Sequence, residues 1–138
     1  MGRRLTALLL LFACTGCSRN KVVTPDDLKS QFTSAISFAS EEVMFIDYIR
    51  AGRSTRNYAE QHAAYLDAEI ARLADELAKA VPQPATESAL QQCRIQLNQL
   101  RNELWNVRIH RGDQNALAAS KGRLEKIRHD LEQAKSAL

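Results

Sequence analysis

Residues 90–107, LQQCRIQLNQLRNELWNV, carry apolar side chains at alternating steps of three and four. This spacing places those side chains along one face of an α-helix and is typical of a helix that packs lengthwise against another. Similar series occur at 28–49, 59–80 and 117–138. The apolar positions of the quoted stretch are Leu90, Cys93, Leu97, Leu100, Leu104 and Val107. We therefore predict four helices, and we expect Cys93 to be a buried, small hydrophobic residue.

Capping and helix-ending residues predict where the helices begin and end. Thr24 suits the start of the first helix because its hydroxyl can accept a backbone N–H, and Gly52 suits the left-handed position after the helix end. Ser54 is the expected cap of the second helix. Gly112 can end the third helix, and Asp113 can cap the fourth. The predicted helices span about 25–50, 55–80, 87–111 and 114–137.

Matched helix lengths and short turns predict an all-α fold, an antiparallel four-helix bundle of up-down-up-down helical hairpins. Residues 24–138 would form this bundle domain. The connection that follows Pro82 is the candidate for a flexible join between the two hairpins, because proline interrupts helical hydrogen bonding. The alternative is a pair of extended hairpins that complete their core only by dimerising.

A short apolar run stands near the amino terminus. Arg3 and Arg4 precede LTALLLLFACTGC at residues 5–17. A basic start followed by a short apolar run is typical of a secretory signal peptide. The run is too short for a permanent transmembrane helix, which needs about 20 apolar residues. The sequence therefore predicts export of the chain.

The end of this run, from Thr15 through Gly16 and Cys17 to Ser18, resembles the lipobox of bacterial lipoprotein precursors. The resemblance implies a cleaved signal peptide at 1–16, acyl chains such as palmitate on Cys17, and a lipidated tether at 17–23. It also implies a periplasm-facing place in the cell envelope, at the outer membrane, because Ser18 rather than Asp follows the cysteine.

Cys14 is the alternative acylation site. Leu11, Phe12, Ala13 and Cys14 form a competing lipobox, with the usual leucine but a bulky Phe near the cut. The choice affects disulfide chemistry. Acylation of Cys17 leaves Cys93 as the one free thiol, whereas acylation of Cys14 leaves a second thiol that could pair with it.

Charge and motif content argue against several classes of function. Loss of Arg3 and Arg4 with the signal peptide reduces the 19 basic residues to 17 against 16 acidic ones, a net charge of +1. Nucleic-acid binding needs a clustered basic surface, so no nucleic-acid partner is expected. The chain has no glycine-rich phosphate loop, Gly-x-Ser-x-Gly elbow, haem attachment motif or repeated Glu-x-x-His pair. We predict no enzyme activity, no cofactor and no metal.

Arg94, Arg101 and Arg108 are spaced by seven along the third helix, beside its apolar face. The favoured interpretation is a solvated flank that pairs with acidic residues of a neighbouring helix. The alternative is contact with anionic lipid headgroups or an acidic partner. Trp105, the only tryptophan, stands off the apolar face beside this stripe, a composition found in protein interfaces.

Asp47 and His62 mark a second candidate surface. They belong to the two ends that a tight turn joins, where Tyr48, Tyr58 and Tyr65 can also gather. This is the nearest approach to a polar pocket in the sequence. One carboxylate and one histidine do not predict catalysis without a nucleophile or further ligands.

The sequence thus predicts a lipid-anchored cell-envelope protein whose non-catalytic helical domain serves protein–protein interaction or envelope structure. The expected partners are the membrane, through the lipid, and either another protein or further copies of the chain. One alternative is a ligand- or metal-responsive periplasmic sensor at Asp47 and His62. Another is a secretin pilotin-like assembly factor, an analogy of size and class.

Overall fold

The computed structural model describes residues 21–138, which form an antiparallel four-helix bundle, as predicted. The predicted signal peptide, Cys14, Cys17 and tether residues 17–20 lie outside the described part. Within residues 21–138, no helix is both long and apolar enough to cross a membrane. The helices are α1 (Pro25–Arg50), α2 (Arg56–Ala78), α3 (Glu87–Ile109) and α4 (Gln114–Ser136). Helices α2 and α3 each end about two residues earlier than predicted.

The four helices are not equivalent in their packing. Helix α1 makes its most extensive contact with α4, and α3 packs on both α2 and α4. Helices α1 and α3 also meet across the diagonal of the bundle, which keeps α2 and α4 apart. The contact between α1 and α2 is the smallest of the five. The structure therefore has two central helices, α1 and α3, and a shallow groove between α1 and α2.

The core consists of the apolar faces that the spacing predicts. Each helix contributes side chains at alternating steps of three and four, so consecutive layers stack along the bundle axis. Burial of each large aliphatic side chain contributes roughly 1.5–3 kcal/mol before conformational entropy is considered. The largest fully buried side chains are Phe32, Leu28, Ile46, Leu66, Ile70, Leu77, Leu90, Leu97, Leu100, Leu104, Leu117 and Leu124.

Thr24 and Asp27 form a capping box at the start of α1. The Thr24 hydroxyl accepts the Asp27 N–H at 3.1 Å, and the Asp27 carboxylate accepts the Thr24 N–H at 3.2 Å. Lys21 Nζ donates to the same carboxylate at 2.7 Å. The hydrogen bonds that the Asp27 carboxylate accepts, first from Lys21 and then from the hydroxyl and the N–H of Thr24, lower the pKa of Asp27 to about 2. The cap at Thr24 is confirmed.

The other turns follow the sequence with two corrections. Gly112 does not end α3, because His110 is already the C-cap and Gly112 does not take the left-handed conformation. Thr55, not Ser54, caps α2, because the Thr55 hydroxyl accepts the Tyr58 N–H at 3.2 Å. Asp113 caps α4 as predicted and accepts the N–H groups of Asn115 and Ala116 at 2.9 and 3.0 Å. Gly52 has a φ of 67°, the left-handed conformation expected after α1.

Residues 21–23 are docked on the bundle instead of hanging free as a tether. The Val23 N–H donates to Val81 O and the Val81 N–H to Lys21 O, both at 3.0 Å. The Val23 side chain is buried, and the Thr86 hydroxyl donates to Val23 O at 3.3 Å. Residues 21–23 of the expected tether are therefore part of the folded bundle, and the connection between α2 and α3 is held in place rather than loose.

Candidate functional site

The outward side of α3 exposes a row of six residues, which we name the α3 outer row. Its three apolar members are among the most exposed large hydrophobic residues, with Ile95 at 47%, Trp105 at 58% and Ile109 at 54%. These positions face away from the core because they lie between the core positions of the helix. The row contains no charged side chain. Its members are Gln91, Ile95, Asn98, Asn102, Trp105 and Ile109.

Two arginines of the predicted stripe pair with acidic residues of α2. Arg101 Nε lies 2.8 Å from Asp67 Oδ1, and Arg108 Nη2 lies 3.4 Å from Glu60 Oε2. Arg111 also binds the Glu60 carboxylate, and the hydrogen bonds of Arg111 and Arg108 lower the pKa of Glu60. The favoured interpretation of a flank paired with a neighbouring helix is therefore confirmed for Arg101 and Arg108.

Arg94, the third member of the stripe, has a different role. Its guanidinium donates to the carbonyl oxygens at the end of α2, with Nε 3.1 Å from Leu77 O and Nη2 3.4 Å from Ala80 O. The last carbonyls of a helix have no partner within the helix, so such donors stabilise its end. Arg94 thus ties α3 to the end of α2.

Trp105 stands at the edge of a surface groove of about 540 Å³, which Asn98 and Asp67 also line. The guanidinium carbon of Arg108 is 5.7 Å from the centre of the Trp105 ring. A cation at this distance is attracted by the negative face of the indole. The Arg108 contact therefore helps to hold an exposed tryptophan in place.

Aromatic side chains gather in the groove between α1 and α2. The rings of Tyr58 and His62 are stacked at 5.4 Å and 8°, and Tyr48 meets Tyr58 edge-on at 5.6 Å. Phe45 meets His62 edge-on at 4.8 Å, and Tyr65 lies 6.3 Å from His62. The predicted gathering of the three tyrosines and His62 is confirmed.

Asp47 does not belong to this aromatic group, which corrects the pairing expected with His62. The Asp47 carboxylate turns to α4, where its oxygens lie 2.7 and 2.8 Å from Lys121 Nζ. His62 Nε2 instead lies 3.6 Å from Glu41 Oε1. A helix turns about 100° per residue, so Asp47 points away from the side on which Glu41, Phe45 and Tyr48 face α2.

Glu42 is a buried acid that the sequence analysis missed. It is 1% exposed, and neither carboxylate oxygen has a hydrogen-bond partner among residues 21–138. Burial raises the pKa of Glu42 well above the usual 4.5, and the negative charges of Glu103, Asp67 and Glu41 add to the effect. The spacing of the core positions in the sequence already indicated that residue 42 could be buried. Steps of three or four residues from Ala39 lead to residue 42 as well as to the apolar residue 43.

Glu103 is the second buried acid, and it has a partner. Arg123 Nε and Nη2 donate to the two carboxylate oxygens of Glu103 at 2.6 and 2.9 Å. Arg123 Nη2 also donates to the hydroxyl of Ser120 at 3.0 Å. The arginine side chain is 51% exposed, so it reaches inward from the surface of α4 to neutralise a carboxylate of α3.

Cys93 is fully buried, as predicted. Burial raises the pKa of its thiol to about 12, so the thiolate needed for nucleophilic chemistry is disfavoured. Among residues 21–138, no group of three or more His, Cys, Asp and Glu side chains is arranged to hold a metal ion.

No family model matches this chain, and neither the curated proteins nor the solved structures give a match.

Proposed function

We propose that the chain is a lipid-anchored protein of the cell envelope whose bundle is a non-catalytic protein-interaction module. The observation that carries the interaction is the α3 outer row, where Trp105 is 58% exposed beside two half-exposed isoleucines. Exposed aromatic and aliphatic side chains on an uncharged surface favour a protein partner, because burying them releases water from apolar surface. An assembly factor of the secretin pilotin kind would be one instance of this function.

The anchor rests on the lipobox resemblance at Thr15, Gly16 and Cys17. Two or three acyl chains at one cysteine would hold the protein durably on a membrane. Metabolic labelling with radioactive palmitate, followed by membrane fractionation, tests this. We expect Cys17→Ser to lose both label and membrane association and Cys14→Ser to keep them. The reverse result would place the lipid on Cys14, and an unlabelled parent chain would contradict the anchor.

The interaction is tested by crosslinking in intact cells, followed by purification of the full chain. We expect Trp105→Glu to abolish a specific crosslinked product. Tyr65→Glu is the matched control, because Tyr65 is 56% exposed and lies on α2, away from the α3 outer row. Equal products from the parent, Trp105→Glu and Tyr65→Glu would contradict the proposed surface.

A second candidate function, ligand sensing, is favoured by the aromatic groove between α1 and α2. This groove of about 290 Å³ is lined by Phe45, Tyr48, Tyr58 and His62 together with Glu41. Aromatic faces beside a carboxylate suit an organic cation. We expect quaternary ammonium compounds to raise the melting temperature of the parent but not of Tyr58→Ala, and the absence of any shift in the parent would contradict this candidate.

A further inference from the structure

The four inner residues of the α3 outer row repeat their order of apolar and polar side chains when the row is read in either direction, whereas the outer two, Gln91 and Ile109, do not. Its members are spaced by four, three, four, three and four residues, a pattern with a centre of symmetry between Asn98 and Asn102. The two asparagines lie next to the centre, and Ile95 and Trp105 lie one step further out on either side. A row of this kind matches a second copy of itself running in the opposite direction.

We propose that the partner of the α3 outer row is a second copy of this chain, packed through an antiparallel pair of α3 helices. The inference rests on the proposed function. The contact surface is the same, and the partner is now specified. A two-fold axis perpendicular to the helices makes the same surface serve both chains. The residue pairs formed across this axis are Asn98 with Asn102, Ile95 with Trp105, and Gln91 with Ile109.

The chemistry of these pairs is complementary. Two asparagine amides can each donate and accept, so the central Asn98 and Asn102 pairs satisfy one another, and polar pairs of this kind specify register in packed helices. Trp105 covers Ile95 of the other copy on both sides of the centre. The exposed side chains of Ile95 and Trp105 are thereby buried against each other, the arrangement expected of interface anchors, while Ile109 meets the Gln91 side chain of the other copy.

The flanks of the row also favour a second copy. In an antiparallel pair with a two-fold axis, each flank meets the same flank of the other chain, so a flank with unpaired charge would repel itself. One flank of α3 carries only amides, on Gln92, Gln99 and Asn106. The other carries Arg94, Arg101 and Arg108. The charges of Arg101 and Arg108 are already balanced by acidic residues of α2 within the chain, and Arg94 is held by carbonyl oxygens near the end of α2. The row itself therefore offers no charge for a partner of opposite charge to match.

The other exposed apolar side chains of the described helices belong to a groove between two helices rather than to one helix face. The large exposed apolar residues of α1 and α2, which are Met44, Tyr48, Tyr58 and Tyr65, line or adjoin the groove between those helices. On α4, the outward side chains include charged residues such as Lys126, Asp130 and Glu132. The α3 outer row is thus the described helix face whose polarity and spacing suit a symmetric contact.

Cysteine crosslinking of the full chain in intact cells tests the pairing and its direction. Differently tagged Asn98→Cys and Asn102→Cys chains are expressed singly or together and oxidised with copper phenanthroline. We expect a strong mixed-tag disulfide dimer when the two are co-expressed and weaker dimers from each alone, because their own cysteines are displaced along the helix. The unsubstituted chain, whose native cysteines are unchanged, measures the background.

Two further variants check that the crosslink reports the proposed contact. Trp105→Glu, added to both tagged chains, should lower the mixed dimer about tenfold or more, the loss typical of an interface anchor. Tyr65→Glu should leave it unchanged. A mixed dimer no stronger than the background, insensitivity to Trp105→Glu, or single-variant dimers as strong as the mixed one would overturn the antiparallel pair. If the disulfide dimer is absent but Trp105→Glu still removes a different crosslinked protein, the second copy is excluded and the proposed function stands.

Discussion

Glu42 and Glu103 are both buried glutamates of the bundle, yet within the described chain only Glu103 has a cationic partner. Arg123 reaches Glu103 from the partly exposed side of α4, whereas Glu42 is 1% exposed and has no hydrogen bond within residues 21–138. A buried carboxyl group without a partner favours its neutral form. The difference shows that the depth of a carboxylate in the core determines whether a long side chain from the surface can reach it and pair with it.

Replacement of Glu42 by leucine should have the largest effect. Leucine is similar in size and leaves no unsatisfied polar group, so Glu42→Leu should raise the free energy of unfolding at pH 7 by about 1–3 kcal/mol. Urea unfolding measures this change. Glu41→Leu, on the partly exposed position next in sequence, is the control and should change stability by less than about 0.5 kcal/mol. A less stable Glu42→Leu protein would mean that Glu42 has a partner the contact pattern does not reveal.

Removal of the partner of Glu103 should lower the free energy of unfolding, which is the opposite of the effect expected for Glu42→Leu. Arg123→Met leaves a buried carboxylate without its hydrogen-bond donors, so we expect the free energy of unfolding to fall by about 1–2 kcal/mol. Glu103→Gln in the same chain should restore part of the loss, because it removes the uncompensated charge. Lys126→Met on α4 is the control, since the Lys126 side chain is 74% exposed and its ion pair with Asp130 lies at the surface. Equal losses in the two single variants would argue against a special role of the buried pair.

The pH dependence of stability should separate the two glutamates. The native pKa of Glu42 is raised, so the native state holds a proton that the unfolded chain releases above about pH 4.5. The free energy of unfolding should therefore fall as the pH rises and the unfolded chain loses this proton. Glu42→Gln removes the dependence and should be more stable than the parent by about 1 kcal/mol at pH 7 but not at pH 4. Thermal unfolding across this pH range measures the difference in stability between Glu42→Gln and the parent. A difference that grows towards acidic pH would contradict a raised pKa of Glu42.

The smallest effect is expected at Ser120, the third member of the Glu103 group. Ser120→Ala removes one acceptor from Arg123, which still donates to both oxygens of Glu103. The loss should be about 0.5 kcal/mol, near the lower limit for a single hydrogen bond. A loss as large as that of Arg123→Met would show that the hydroxyl, rather than the ion pair, stabilises this part of the core.

Most of the bundle could be predicted from local patterns. The apolar spacing of residues 90–107 identifies α3 and its buried face, and Thr24 and Asp113 mark helix starts because capping depends on hydrogen bonds within a few residues. The cap of α2 was misplaced by one residue, since Ser54 and Thr55 offer the same hydroxyl. Glu42 was missed for a different reason, namely that an acidic residue was not expected on the buried face.

The candidate surfaces could be predicted only in part. The row of Arg94, Arg101 and Arg108 is visible in the sequence, but their separate partners depend on which helix lies alongside α3 and where its end falls. Asp47 and His62 looked like neighbours because they flank one turn. Their side chains diverge because α1 faces α2 with one side and α4 with another.

The sequence by itself determined the helices, their core faces and the expectation of an anchored chain, because periodicity, caps and the lipobox-like run involve residues close together along the chain. Only the tertiary structure decided that α1 and α3 meet across the bundle and that Glu42 is buried between helices with no hydrogen-bond partner among residues 21–138. It also decided that Ile95, Trp105 and Ile109 remain uncovered. These properties depend on how helices distant in sequence approach one another, which spacing within a single helix does not specify.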